Sequence, residues 1–217
     1  MKRLIGCLFF IIIVISASSQ IIHFETGKTI SSFNYKNSDG EKLENLEGSN
    51  QNSLGLGLRM PILQTNLHIS GDASYNRYGA MGSDPLLGNY YEWDATYLGL
   101  YLGFDYEFFR PPINYNEQHG FSFSPRIAVG TEFLLNGTQN LNDQINDLKN
   151  VEEFDKPLYF IRGGVQVNYY LSKVFILFGQ YTYGKSFLIG DYKNQEQLRL
   201  TTHNVSIGLS INLFFRK

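Results

Sequence analysis

The segment Asn204-Val-Ser-Ile-Gly-Leu-Ser-Ile-Asn-Leu-Phe-Phe215, near the end of the 217-residue chain, alternates between apolar and small polar residues. Every second residue from Val205 to Phe215 is apolar, whereas the residues between them are Ser, Gly or Asn as far as Asn212. Successive side chains of a β-strand point to opposite faces, so this segment predicts a strand with one apolar face and one small polar face. A soluble sandwich tolerates such a strand, whereas a strand that separates lipid from a polar interior requires it.

The same alternation recurs upstream and predicts eight strands. These strands cover residues 22–35, 52–60, 66–79, 92–108, 120–135, 158–171, 174–187 and 200–215. Long polar connections are predicted at 36–51, 80–91, 136–157 and 188–199, and shorter ones at 61–65, 109–119 and 172–173. Bacterial transmembrane barrels have an even number of strands, from eight upwards, with long external loops and short periplasmic turns. The sequence therefore predicts an all-β protein, a closed antiparallel transmembrane β-barrel of eight strands.

Residues 1–19 have the pattern of a secretion signal. Lys2 and Arg3 precede an apolar run at 8–15, and small residues follow at 16–19. This order of a charged region, an apolar region and a small-residue cleavage site predicts a signal peptide over 1–19 and a mature barrel domain over 20–217. A lipoprotein signal at Cys7 is the alternative, but the apolar run follows Cys7 whereas a lipoprotein signal requires it to precede the cysteine.

The composition of the predicted mature chain limits the reactions and partners that it can have. Cys7 is the only cysteine, so the mature chain has no thiol and no disulfide. Removing Lys2 and Arg3 reduces the 18 basic residues to 16, against 20 acidic residues. A mildly acidic chain argues against a nucleic-acid partner. No cofactor motif is present, and we expect no cofactor.

In this combination of features the chain resembles the small outer-membrane barrels of the OmpA/OmpX kind, and in style the barrel proteins of Bacteroidota. Its richness in Asn, Tyr and Phe and its predicted mature start at Gln20 are familiar there. The terminal strand also resembles the assembly signal of such proteins, although Arg216 and Lys217 follow the aromatic Phe215. The resemblance implies an outer-membrane location, contact with outer-membrane lipids and lipopolysaccharide, and a role as an envelope-structure protein, adhesin, secretion accessory or lipid-modifying enzyme.

Charged residues fall on the predicted inner faces of the strands. They are Arg59, Asp72, Asp105, Glu107, Arg126, Glu132 and Arg162. An eight-stranded barrel is only wide enough for side chains to fill, and charges buried there have to be paired. We therefore predict a structural charge cluster that plugs the lumen. A gated pore or a binding site is the alternative.

Two patterns bear on catalysis and on metals. The four histidines, His23, His68, His119 and His203, lack the spacing that would build a local metal site on one strand or helix. Lipid A deacylases of eight-stranded form use a His and a Ser on one outward face. Here His203 and Ser206 are three residues apart, which places them on opposite faces of a strand. We expect a non-catalytic protein without a bound metal.

The connection at 136–157 is the second candidate site. Its apolar residues Leu141, Ile145, Leu148 and Phe154 recur near helical spacing, with acidic residues between them. This pattern predicts a short amphipathic helix over the barrel mouth, whose apolar side packs on the rim or contacts an envelope protein. The predicted function is therefore a structural or interaction role in the envelope, for example in a secretion or assembly complex. A lipid-modifying enzyme and a narrow pore are the alternatives.

Overall fold

The structure is a computed structural model. It describes residues 20–36, 42, 46–62, 65–84, 89–111, 120–142, 144–149, 151–188 and 196–213. The predicted signal peptide and His119 lie outside the described residues. No helix in the described part of the chain is long and apolar enough to cross a membrane.

Ten strands and one helical turn follow one another along the described chain. They are β1 (Ile21–Lys36), β2 (Glu47–Gly48), β3 (Asn50–Pro61), β4 (Leu67–Asp84), β5 (Asn89–Tyr106), β6 (Gly120–Leu141), β7 (Gln144–Asp147), α1 (Glu152–Asp155), β8 (Leu158–Tyr170), β9 (Phe175–Phe187) and β10 (Gln197–Asn212). All strand pairings are antiparallel, and β1 pairs with both β3 and β10. The ring β1-β3-β4-β5-β6-β8-β9-β10 is therefore closed, and the predicted eight-stranded barrel is confirmed.

The two faces of the barrel strands follow the predicted alternation. On β10, Val205 and Ile207 are 61% and 69% exposed on the outside, whereas Ser206 and Ser210 are buried inside. The outward Leu54, Leu56 and Leu58 of β3 are likewise exposed. An exposed apolar belt around a closed barrel is the surface that a lipid bilayer covers. The pattern of the sequence thus determines which side of each strand meets lipid.

Three strands are much longer than a bilayer needs. Strands β4 and β5 have 18 residues each and β6 has 22, whereas about 9–11 tilted residues span the hydrocarbon core. Their extra length lies on the side opposite both described chain ends, which is the extracellular side of such a barrel. The predicted long loop at 80–91 is wrong in this respect, because residues 81–84 and 89–91 pair as strands β4 and β5. We call this raised part of the sheet the extracellular extension; it comprises residues 77–84, 89–96, 136–142 and 144–147.

The extension reverses the amphipathic pattern of the membrane belt. Its inward side chains Tyr78, Ala80, Trp93 and Ala95 are buried and apolar. Its outward positions include Glu92, which is exposed. Above the bilayer the outer face meets water, so the apolar side chains turn inward and form a core. The sequence prediction assumed an apolar outer face throughout and therefore ended these strands too early.

The interior consequently has two halves. The periplasmic half holds polar and charged side chains, whereas the extracellular half is packed with buried apolar ones. The apolar cluster comprises Phe33, Tyr78, Ala80, Tyr91, Trp93, Ala95, Tyr97, Tyr101, Ala128, Leu148, Phe154, Leu158, Phe160, Leu198 and Leu200. The barrel is therefore filled along its length by two kinds of core.

Candidate functional site

The charged residues of the interior form three clusters at successive levels. The cluster nearest the periplasm centres on Arg59, which forms an ion pair with Asp105 through a 3.0 Å bond from Nε to Oδ1 and a second contact. His68 Nδ1 lies 3.0 Å from the same guanidinium. Glu107 accepts a 2.5 Å hydrogen bond from Ser122 and another from the Tyr170 hydroxyl. These side chains come from β3, β4, β5, β6 and β8 and close the lumen from several sides.

The middle cluster is built on Asp72 of β4. Arg126 of β6 forms an ion pair with Asp72 and also donates to Ser70 over 2.8 Å. His23 of β1 places Nε2 2.8 Å from the other carboxylate oxygen of Asp72. A cavity of about 50 Å³ adjoins this cluster, lined in part by Glu25 and the side chains just described. This volume has room for a few water molecules.

The third cluster surrounds Glu132, whose side chain is completely buried. Its Oε1 accepts hydrogen bonds from Asn76 (2.6 Å), Tyr78 (2.9 Å), Tyr101 (2.5 Å) and Arg162 (2.7 Å). The guanidinium of Arg162 also stacks 4.0 Å above the Tyr101 ring. Hydrogen bonds to charged groups are the strong ones in a medium of low polarity, so this cluster ties four strands together.

All seven charged residues predicted for the lumen thus lie on the inner faces of their strands, divided among these clusters. The structure adds His23, His68 and Glu25, which the prediction did not include in the charge cluster. His68 shares the inward face of β4 with Asp72, so strand parity alone would have identified it. The inward facing of Glu25 and His23 is not evident from the sequence, because apolar and polar residues alternate poorly along β1. In the described residues no group of three His, Cys, Asp or Glu is arranged to hold a metal.

The connection between β7 and β8 enters the mouth of the barrel. Leu148 and Phe154 are 1% and 2% exposed, and the Phe154 ring lies 6.2 Å from the Trp93 ring. The Tyr97 hydroxyl donates to the Phe154 carbonyl over 3.2 Å. We call residues 148–149 and 151–156 the mouth plug. It seals the extracellular end of the interior with apolar side chains.

The predicted amphipathic helix at 136–157 is therefore wrong. Residues 138–141 of β6 pair with β7 in a hairpin, and only Glu152–Asp155 is helical. Asn142 in the turn has a φ of 49°, a left-handed conformation that Asn adopts more readily than most residues. Leu141 and Ile145 precede and follow this turn, so their helical spacing was coincidental. They remain exposed, 38% and 74%, whereas Leu148 and Phe154 are inaccessible to a partner.

Acidic and phenolic groups meet beside the mouth plug. Burial raises the pKa of Glu153, and the hydrogen bond and the negative charge of Glu196 raise it further. Burial and a hydrogen bond with Glu196 likewise raise the pKa of Tyr35 above its ordinary value. The outward neighbours Ser32 and Asn34 are polar and exposed, so this end of β1 lies outside the membrane. The protonation of Glu153 is thereby linked to the position of the plug.

His203 and Ser206 lie on opposite faces of β10. His203 is exposed on the outside, where the Tyr181 hydroxyl is 2.8 Å from its Nδ1. Ser206 is buried inside and donates to Glu25 over 2.9 Å. The two side chains cannot act on one substrate atom, because the barrel wall separates them.

Comparison with solved structures places this geometry among bacterial outer-membrane barrels. The outer membrane protein OprG from Pseudomonas aeruginosa is similar, with a TM-score of 0.54 and 13% identity, covering 91% of this chain and 97% of OprG. This chain has the fold of a bacterial outer-membrane β-barrel. Neisserial surface protein A shows a TM-score of 0.49 and 11% identity over 89% of this chain and 97% of that protein. No protein-family model and no curated protein sequence matches the chain. At such low identity the likeness concerns the fold alone.

Proposed function

We propose that the protein is a non-catalytic barrel with a closed lumen, which serves a structural or protein-interaction role in the cell envelope. The observation that carries this proposal is that side chains reach into the interior from every level of the barrel, with a cavity of about 50 Å³ beside Asp72. Three charged clusters fill the periplasmic half, and an apolar core with the mouth plug fills the extracellular half. A barrel whose lumen is closed suits a structural or binding role better than a transport role.

The extracellular extension is the part best suited to an interaction. Strand β7 pairs with β6, and no other described strand pairs with it, so its second edge is free. A free strand edge can pair with a strand of another chain. Ile145 of β7 is 74% exposed beside this edge. We propose that the β6–β7 hairpin, with Leu141 and Ile145, contacts an envelope protein such as a component of a secretion or assembly complex.

The alternatives have less support in the geometry. A lipid-modifying enzyme of the deacylase type needs a His and a Ser on one lipid-accessible face, and His203 and Ser206 lie on opposite faces. A narrow pore needs a polar passage through the whole barrel. The apolar cluster fills the extracellular half of the interior and so closes that passage. The resemblance to Bacteroidota barrels stays a prediction about the source of the chain.

Conductance across a planar bilayer tests the closed lumen. The purified, folded protein should give no steady current, because ion pairs and packed side chains fill the interior. A double variant of the plug, Leu148→Ser with Phe154→Ser, should also stay closed because the three charged clusters remain below it. Stable currents through the wild-type protein would contradict the proposal of a closed lumen and favour the narrow pore.

Site-specific photo-crosslinking in the intact envelope tests the interaction. A crosslinker at Ile145 should join the barrel to one defined protein, whereas a crosslinker at the lipid-facing Leu56 should join it to none. If the crosslinker at Ile145 captures no protein, or the same proteins as the crosslinker at Leu56, the proposed contact is wrong and only the structural role remains.

A further inference from the structure

Exposed basic side chains gather on one side of the barrel, where β9, β10 and β1 lie next to one another. Lys185 of β9 is directly opposite Thr201 of β10, so Arg199 and His203 are its diagonal neighbours. Lys28 of β1 is directly opposite Val205, and His203 is again the diagonal neighbour. Diagonal neighbours on a sheet face lie about 7–8 Å apart. Lys28, His203, Lys185 and Arg199 thus form a continuous outward row, which we call the basic stripe.

Within the described strands, no outward acidic side chain lies on the side of the barrel that carries the basic stripe. The outward positions of β1, β3, β8, β9 and β10 contain no carboxylate among the residues that the structure describes. None of Lys28, Lys185 and Arg199 forms an ion pair within the described chain. The like charges of Lys185 and Arg199 repel each other at this diagonal spacing, and an anion bound along the row would offset the repulsion.

The opposite side of the barrel has the reverse charge. Outward positions of β5 and β7 carry Glu92, Asp94 and Asp147. On this side Arg77 forms an ion pair with Asp94 at 2.5 Å. The basic stripe is therefore a local feature of one side and not a general property of the extracellular rim.

The height of the basic stripe matches the lipid headgroups of the outer leaflet. On β10, Val205 lies level with Lys28 at the lower end of the stripe, and Ile207 lies below it. They are 61% and 69% exposed in the apolar belt. Tyr181 and Tyr183 of β9 flank His203, with the Tyr183 ring 5.2 Å from the imidazole. Tyrosines mark the membrane interface, and lysine and arginine stems reach upward from it to the headgroups.

The lipid-facing wall below the stripe also leaves room beside the strands. Gly163 of β8 is directly opposite Tyr183, and Gly179 of β9 is directly opposite Ile207. A side-chain carbon added at either glycine would contact nothing within 4 Å. An acyl chain can therefore lie against the backbone of β8 and β9 directly beneath the cations.

We propose that the basic stripe binds the phosphorylated sugar headgroup of a glycolipid of the outer leaflet, with an acyl chain seated over Gly163 and Gly179. Lys28, Lys185 and Arg199 contact the phosphates, and His203 adds a hydrogen-bonding group between them. Charge complementarity selects this occupant, because phosphates at the headgroup level are the anions that meet such a surface. The barrel would thereby hold one lipid in a defined position on its β9–β10–β1 side.

The test is binding of bisphosphorylated lipid A to the full chain in phosphatidylcholine nanodiscs, measured by native mass spectrometry. The stripe variant is Lys28→Gln/Lys185→Gln/Arg199→Gln. The matched control, Arg77→Gln/Lys149→Gln/Lys156→Gln, removes the same positive charge elsewhere on the extracellular side. The stripe variant should bind about 100-fold more weakly and the control like wild type, since each lysine or arginine near an anionic lipid surface contributes about a fivefold factor.

Dephosphorylated lipid A should bind wild-type protein as weakly as lipid A binds the stripe variant, and inorganic phosphate at equal concentration should not compete. Equal binding by wild type and the stripe variant, or an equal loss in the matched control, would overturn the proposal. Equal binding of the two lipid forms would overturn it as well. The mobility of unheated samples on gels verifies that each variant is folded. If the triple variant does not fold, the single variant Lys185→Gln replaces it, and we expect that variant to bind lipid A about fivefold more weakly than wild type.

Discussion

Glu132 is the residue on which most of the buried polar interior converges. Four side chains from β4, β5 and β8 donate to one of its carboxylate oxygens, among them Tyr101 at 2.5 Å and Arg162 at 2.7 Å. Such an arrangement rigidifies the barrel when every donor has its acceptor. It also concentrates the penalty of a single substitution, because removing the acceptor leaves several donors and one cation without a partner.

Glu132→Ala should destabilise the barrel strongly. Loss of one partner of a buried ion pair costs about 3–5 kcal/mol, because the remaining charge, here Arg162, stays buried and uncompensated. Glu132→Gln should cost less, since the amide oxygen still accepts hydrogen bonds. Glu92→Ala on the exposed outer face should change stability by less than about 0.5 kcal/mol. Urea unfolding in vesicles measures all three, and equal costs for Glu132→Ala and Glu92→Ala would contradict the buried network.

At the level of elements, the mouth plug is the part whose position depends on protonation. Helix α1 is a single turn of four residues, too short to be stable by itself, so packing of Phe154 against the barrel holds it. Glu153 has a raised pKa in the docked plug. The docked plug therefore binds the proton more tightly than a released plug does.

Docking of the plug should weaken as the pH rises. Its proton-linked stabilisation is fully present below the ordinary glutamate value of 4.5 and is lost as the pH passes upward through the raised pKa of Glu153. Trp93, the single tryptophan of the chain, packs against Phe154 and reports docking by its fluorescence. Glu153→Gln should abolish the pH-dependent change, whereas Glu152→Gln should retain it. A change of the same size in both variants would exclude Glu153 as the titrating group.

At the scale of the whole molecule, the arrangement of side chains follows the two media around it, lipid and water. Within the bilayer the barrel presents apolar side chains to lipid and encloses polar ones. In the extracellular extension it presents polar side chains to water and encloses Tyr78, Trp93 and their neighbours. The boundary between the two regimes lies where the outward residues of β4 change from Tyr75 to Arg77. One continuous strand can therefore cross the interface by exchanging the roles of its two faces.

This division predicts where a new charge is tolerated. Leu100→Arg and Ile207→Arg on the lipid-facing belt should each cost about 2–4 kcal/mol. Met81→Arg, which is outward on the same sheet but in the extension, should cost little because water surrounds it. The fraction of protein that migrates as the compact, unheated form on gels measures folding. Equal folding yields for Leu100→Arg and Met81→Arg would show that the assigned membrane boundary is wrong.

The facing of the barrel strands could be predicted from the sequence, because a period of two is a local property of the backbone. It assigned Leu100, Val129 and Ile207 to the outside, and it assigned Arg126 and Glu132 to the inside. The number of strands and their antiparallel order followed from the same periodicity together with the turn residues between them.

Contacts between residues that are distant in the sequence could be seen only in the folded barrel. The pairing of Asp72 with Arg126 depends on the register across several strands, and the row from Lys28 to Lys185 exists because β10 closes on β1. The burial of Leu148 and Phe154 and the length of β4 to β6 depend on where the membrane ends and water begins. Such contacts are non-local, and the periodicity of a single segment carries no information about its neighbours in the closed barrel.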